Sequence, residues 1–243
     1  MPWLSYYGGG GVPCRSFGRS GQKFRNCLAQ VKGKVPFIRA ESALKPRYNI
    51  APTHMAPVIV NRGEVALKDM RWGLIPFWAK DEEIGNRMIN ARAETVKEKP
   101  SFRNSLKRKR CLVLADFFYE WQKIPGSTRK QPMCIHLKDQ EPFVFAGLWG
   151  TWKKCEDAEE KEVESYTIIT CEPNDLMRPI HNRMPVILKP ENYDQWLDPK
   201  NEDTEALAKL LAPYPETEMA AHAVSPLVNN PQFDDPQCIE PVK

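Results

Sequence analysis

The sequence predicts an α+β protein built on a mostly antiparallel, barrel-like β-sheet with peripheral helices. Two observations carry this. Strand-like runs follow one another with few helical patterns between them, so the alternation that makes a parallel βαβ sheet is absent. Gly and Pro punctuate those runs at short intervals, and "TEALAKLLAP" is the clearest helical period, ended by Pro213.

Taken in order, residues 1–44 carry a Gly8–Gly11 run and a stretch of cations among small residues with no clean period, which predicts low order. From residue 45 to 243 the texture is that of one folded domain. "APVIVNRGEVALKDMRWGLIP" predicts two strands around an Arg62-Gly63 turn, the second stopped by Pro76. "KEKPSFRNSLKRK" predicts a short helix entered through Pro100-Ser101. "RCLVLADFFYEWQKI" is one long β-rich run ended by Pro-Gly-Ser, and "PMCIHLKD", "PFVFAGLWGTW" and "SYTIITCEP" are further strands. "CEDAEEKEVE", Cys155 to Glu164, predicts a solvated acidic loop. "PNDLMRPI" is a helical turn broken at Pro179, "MPVILKP" a strand, and "PENYDQWLD" a helix with Pro190 at an early position. A last strand, "MAAHAVSP", precedes a polar tail.

Composition excludes several classes. Hydrophobic residues make up 42% and charged residues 27%, as in globular proteins, and no apolar run is long enough to span a bilayer. The start lacks the basic and apolar regions of a secretory signal, so a cytosolic or nuclear protein is expected: nucleoid-associated in a bacterium, nuclear in a eukaryote. Seven cysteines are scattered without a C-x-x-C pair and four histidines lie far apart, so neither a disulfide framework, a metal site nor a cofactor is predicted. Net charge is +4, concentrated in "SLKRKR" and "KPRYN". Cations beside aromatics suit a single nucleic-acid strand, which needs charge for its phosphates and rings for its bases.

Four stretches pair rare residues with residues that do chemistry. "RYNIAPTH" holds Asn49 and Pro52, and "RWGLIPFWAK" holds Trp72 and Trp78. "ADFFYEWQK" sets Glu120 in an apolar strand, and "RPIHNRMPVIL" sets His181 and Arg183 between prolines. An acid in an apolar strand is desolvated, which raises its pKa and suits it to proton transfer near neutral pH. In "NARAE", Asn90, Arg92 and Glu94 occupy alternate positions and share one face of an extended strand.

In this order, with "F....RCLVLADFFYEW" included, these motifs closely resemble the SOS-response-associated peptidase family, whose members process abasic sites in DNA; the resemblance spans Pro46 to Lys243. It implies a DNA-damage function: a positively charged groove for single-stranded DNA, covalent capture of the ring-opened abasic sugar, and self-removal of the initiator Met. Asn90 and Arg92 match the residues that sense the lesion and hold its phosphates, Glu120 the proton-transferring acid, and His181 the residue that hydrogen-bonds the opened sugar. Asn49, Pro52, Trp72 and Trp78 complete the expected DNA-binding set. Expected partners are abasic single-stranded DNA and replication-fork proteins, with a monomeric chain.

The family's nucleophile is a Cys exposed within a Met-Cys-Gly-Arg start, whose amine forms an imine and whose thiol closes a thiazolidine. Here position 2 is Pro2, and the nearest echo is Cys14 in "PCRSF". Three expectations compete: the functional N-terminus lies elsewhere, the chain binds single strands without covalent capture, or the Pro2 amine forms an iminium. A cysteine-type peptidase and a plain interaction module are the alternatives from other classes.

Overall fold

The computed structural model describes residues 3–6, 46–156 and 159–242. Its strands are β1 (Trp3–Tyr6), β2 (Arg47–Ile50), β3 (Met55–Asn61), β4 (Val65–Trp72), β5 (Asn90–Arg92), β6 (Arg110–Ala115), β7 (Phe117–Lys123), β8 (Lys130–Leu137), β9 (Phe143–Glu156), β10 (Glu159–Cys171), β11 (Met184–Pro185), β12 (Ile187–Leu188) and β13 (Met219–Ala223). The helices α1 (Arg103–Arg108), α2 (Tyr193–Leu197) and α3 (Thr204–Ala208) are short and flank the sheets.

Five strands close a ring in the order β4-β3-β6-β9-β10, and the parallel β10–β4 pairing completes it. Closure gives the sheet an enclosed inner face, although the closing pairing is short, Arg71 and Trp72 against Ser165 and Tyr166. It also explains why "VIV" and "CLVLA" lack alternation. Val58, Ile59, Val60, Cys111, Leu112 and Val113 are all fully buried, one face inside the ring and the other under neighbouring elements. The ring interior is tight at Gly147, where a Cβ would stand 2.7 Å from Cys111 Sγ.

A second, antiparallel sheet runs β13-β8-β7-β1-β2. The run predicted as one strand from Arg110 to Lys123 divides at Asp116. Upstream, β6 pairs with β3 and β9 in the ring; downstream, β7 pairs with β1 and β8 in the second sheet. Along β7, Phe118 joins the main core, whereas Phe117 and Tyr119 pack on the other face with Tyr48, Val228 and Cys238. By the same alternation Glu120 lies on the ring side with Phe118.

Several expectations are corrected. The second strand of the first hairpin stops at Trp72 rather than Pro76, because Gly73 takes a φ of +120° and its Cβ position lies 2.5 Å from the Gly85 carbonyl oxygen. β5 then takes over the edge of β10 that β4 vacates: Arg71 and Trp72 pair with Ser165 and Tyr166, and Asn90 to Arg92 pair with Ile168 to Thr170, also parallel. The acidic stretch from Cys155 to Glu164 is not a loop. Most of it forms the ends of β9 and β10, which continue their antiparallel register from Thr167–Leu148 out to Glu159–Glu156. "MPVIL" splits into two short strands at Val186, whose N–H and carbonyl bond to Ile169 and Ala146 instead. The expected low order of residues 1–44 falls largely outside the described residues, but within it Trp3–Tyr6 is a strand, since β7 and β2 offer it backbone partners on both sides.

Arg110, read from the sequence as part of a basic surface run, is an internal brace. It is buried, and its guanidinium donates to the carbonyls of Leu106 (2.5 Å), Lys107 (2.6 Å), Trp196 (2.5 Å), Asp198 and Asn201 (3.1 Å). It thereby satisfies carbonyls at the ends of α1 and α2, which helix geometry leaves unpaired. Burial lowers its pKa to about 10, still well above neutrality. Arg110→Ala leaves these acceptors without their donor and is expected to cost about 3 kcal/mol or more in denaturant unfolding. A loss below about 1 kcal/mol would show that water replaces the brace.

Candidate active site

Glu120 is only 1% exposed. Burial drives its pKa up to about 7, against weaker opposing effects that include a hydrogen bond from the Trp121 N–H and the charge of Lys130. Its Oε2 is buried and has no hydrogen-bond partner among the described residues. Near neutral pH the carboxyl therefore keeps a proton that an exposed glutamate would have lost.

His181 reaches Glu120 from the segment after β10. Its backbone N–H donates to the Met177 carbonyl (2.8 Å), and the Asn174 side chain accepts the Met177 N–H (2.9 Å), so the loop is folded on itself. Gln122 Nε2 donates to the Pro179 carbonyl at 3.3 Å, tying this loop to β7. The result sets His181 Nδ1 3.8 Å from Glu120 Oε1. Desolvation lowers the histidine's pKa, so the ring is neutral at pH 7. Nδ1 faces both the N–H and the carbonyl of Arg183, each at 3.2 Å. The ring can thus carry its proton on either nitrogen without leaving its seat.

Arg183 continues the site towards β5. Its guanidinium grips the Glu94 carboxylate with two bonds, 2.7 and 2.9 Å, and donates to the Thr170 carbonyl at 2.5 Å. The hydrogen bonds from Arg183 hold the Glu94 carboxyl below its usual range. Thr170 pairs with Arg92 and accepts the Ala93 N–H, so β5, β10 and the His181 loop meet here. Glu94 lies past the end of β5, in a turn closed by the Thr95 N–H on the Arg92 carbonyl, and not on the strand face with Asn90 and Arg92. Ala91 is buried, while Asn90 is half-buried and Arg92 exposed, as strand alternation requires. Asn90 Oδ1 and Arg183 Nε are buried and, like Glu120 Oε2, have no hydrogen-bond partner among the described residues. Buried polar atoms are rarely left so, and these are the atoms a bound molecule can satisfy.

The other sequence candidates divide. Trp78 is 49% exposed and Phe77 beside it 71%, on the loop that leaves β4. Pro52 is half-buried in the turn after β2. Trp72 is corrected: it is fully buried, stacked on Tyr166 at 6.5 Å, and its Nε1 donates to the Ile89 carbonyl (2.9 Å), fastening the two ends of the Gly73–Ile89 excursion. Asn49 is held from one side only, its Oδ1 being buried without a hydrogen-bond partner among the described residues. It is wholly buried, and its Nδ2 donates to the carbonyls of Val228, Asn230 and Phe233, which anchors the C-terminal segment on β2. Pro2 and Cys14 lie outside the described residues. The sequence singles out Arg183 beside His181 and Glu94 beside Asn90 and Arg92 without a role for either, because the two partners stand 89 residues apart.

The family model described as SOS response associated peptidase (SRAP) matches residues 18–231. The chain belongs to the SRAP family. Among its SRAP relatives, the abasic site processing protein YoqW of Bacillus subtilis is 50% identical over 201 residues, covering 82% of this chain and 88% of that protein. The abasic site processing protein HMCES of Gallus gallus is 34% identical over 235 residues, covering 84% and 68%. A crystal structure of a protein from Bacteroides thetaiotaomicron superposes with a TM-score of 0.75 at 30% identity, covering 89% of this chain and 95% of that one. The α+β, barrel-like SRAP fold expected from the sequence is thus shown. Among the described residues no cluster of three or more His, Cys, Asp or Glu is placed to hold a metal, and no helix is long and apolar enough to cross a membrane.

The raised pKa of Glu120 makes its stability effect run opposite to that of a salt-bridged acid. Between its ordinary value of 4.5 and about 7, the folded chain holds one more proton than the unfolded chain, so stability falls as pH rises through that window. At about 1.4 kcal/mol per pH unit the loss amounts to roughly 3 kcal/mol. Glu120→Gln has no charge to form, so its stability relative to the parent is expected to improve by about that much between pH 4.5 and pH 8. A difference that is the same at both pH values would mean that the folded chain ionises Glu120 normally.

Proposed function

We propose that this chain senses abasic sites in single-stranded DNA and processes them covalently, with Glu120 as the proton-transferring group. The observation that carries the reading is a buried carboxyl, protonated near neutral pH, beside a neutral histidine in a SRAP-family chain whose relatives are named abasic site processing proteins.

An abasic sugar in its open form presents an aldehyde. An amine adds to the carbonyl carbon to give a carbinolamine; the hydroxyl then departs with the proton of Glu120 as water, and the nitrogen lone pair closes the C=N bond. The carboxylate left behind is the base for the reverse proton transfer. The role we assign to His181, whose Nδ1 lies 3.8 Å from the Glu120 carboxyl, is to hydrogen-bond the liberated sugar hydroxyl. Asn90 Oδ1 and Arg183 Nε offer the opened sugar an acceptor and a donor, and exposed Arg92 offers a cation to a phosphate. Trp78 offers an exposed ring for a neighbouring base.

Among the described residues, β1 runs antiparallel beside β7 with Trp3 opposite Tyr119, one position from Glu120. A cysteine-type peptidase is less well supported. Cys111, Cys134, Cys171 and Cys238 are buried, and burial raises each thiol's pKa, that of Cys171 to about 12. Thiols held protonated are poor nucleophiles.

Incubation with a single-stranded oligonucleotide containing an abasic site is expected to give an adduct that survives denaturation, its intact mass reporting the amine. Glu120→Gln is expected to slow its formation by about 10²–10⁴-fold with DNA affinity nearly unchanged. Arg92→Ala is expected to weaken binding and to reduce the salt slope by about 0.7, the value of one phosphate contact on a single strand. Undamaged and abasic strands held equally well, with no adduct, would contradict the proposal.

A further inference from the structure

The basic run that flanks α1 is not absorbed by the site. Between Thr95 and Lys109 the chain carries Lys97, Lys99, Arg103, Lys107, Arg108 and Lys109 against a single acid, Glu98. The structure sorts these cations. Lys97 is paired with Glu205 at 2.9 Å and Arg108 with Glu202 at 2.7 Å, and Lys109 lies over the Trp149 ring at 5.1 Å. Lys99, Arg103 and Lys107 are exposed and have no ion-pair partner among the described residues.

These three stand four residues apart. The Arg103 N–H bonds to the Lys99 carbonyl at 2.9 Å, a helical i to i+4 link, and Arg103 and Lys107 both belong to α1. Side chains at this spacing share one face and step along it by about 6 Å. Leu106 is buried, and with the neighbouring Arg110 brace it fixes the helix against the barrel and turns that face to solvent. Fold stability does not account for the pattern. Lys107, in the last turn, complements the helix dipole, but Arg103 is the first residue of α1, where a cation is unfavourable, and no acid occupies that turn.

The row begins seven residues after Arg92, and the turn from Thr95 to Lys99 connects the two directly. We propose that Lys99, Arg103 and Lys107 form a ridge that binds the phosphate backbone of the DNA flanking the lesion. The ridge extends the footprint from the site along the outside of the barrel. This rests on the DNA reading of the site, and it concerns the length of strand held, not the chemistry. A strand long enough to leave the site meets three further cations, Arg103 and Lys107 on α1 and Lys99 on the turn before it; a short one does not.

The test compares the parent chain with the triple variant Lys99→Gln, Arg103→Gln, Lys107→Gln on abasic single strands of about six and about twenty nucleotides, titrated over a range of salt. All three side chains are exposed, and circular dichroism and thermal unfolding check that the variant is folded. On the long strand the slope of log affinity against log salt is expected to fall by about 2, three contacts at about 0.7 each. On the short strand the slopes of the two chains are expected to agree. An unchanged slope on the long strand, or an equal fall on both strands, overturns the ridge and leaves the site reading standing. A parent chain that holds neither strand overturns both.

Discussion

The carboxyl of Glu120 is held out of water by the way one strand changes sheets. β6 runs inside the closed ring, the chain turns at Asp116, and β7 continues in the second sheet with its ring-side residues still covered. Phe118 and Glu120 share that side, so the packing that buries an aromatic also buries an acid two residues on. An isolated buried carboxylate is costly, and protonation is the cheapest escape. The proton that results is available at neutral pH, and the proposed chemistry depends on it. His181 serves this arrangement by being neutral: a charged imidazolium at 3.8 Å would draw the carboxyl back towards its ionised form.

The second constraint is the handover along β10. β4 leaves that edge at Gly73 because the backbone there adopts a left-handed conformation and packs against Gly85; β5 returns to the same edge two residues further on. The excursion between them presents Phe77 and Trp78 to solvent, and its return sets Asn90 and Arg92 beside Thr170. Arg183 closes the arrangement by binding both Glu94 and the Thr170 carbonyl while its peptide group seats His181. β5, the end of β10 and the His181 loop are thereby joined by hydrogen bonds.

Much of this was legible in the sequence, for identifiable reasons. Glu120 was detectable because an acid interrupts an otherwise apolar strand, and Asn90 with Arg92 because alternate positions share a face. Trp72 misled because residue type does not reveal direction: it lies in a motif stretch, yet its Nε1 bonds a backbone carbonyl inside the fold. Arg110 misled in the same way, as a cation in a basic run that turns inward to brace two helix ends. The Arg183–Glu94 pair could not be read at all, since local pattern carries no information about a partner so far along the chain. The acidic stretch after Cys155 reads as a loop because charge suggests solvent, yet an antiparallel pairing carries most of it.

The central claim concerns one proton, and it can be observed directly. Carbon-13 labelling of glutamate side chains, with the Glu120 carboxyl resonance assigned by its loss in Glu120→Gln, permits that group to be titrated in the folded protein by NMR. The account predicts a midpoint near 7, and a midpoint near the ordinary 4.5 would contradict it.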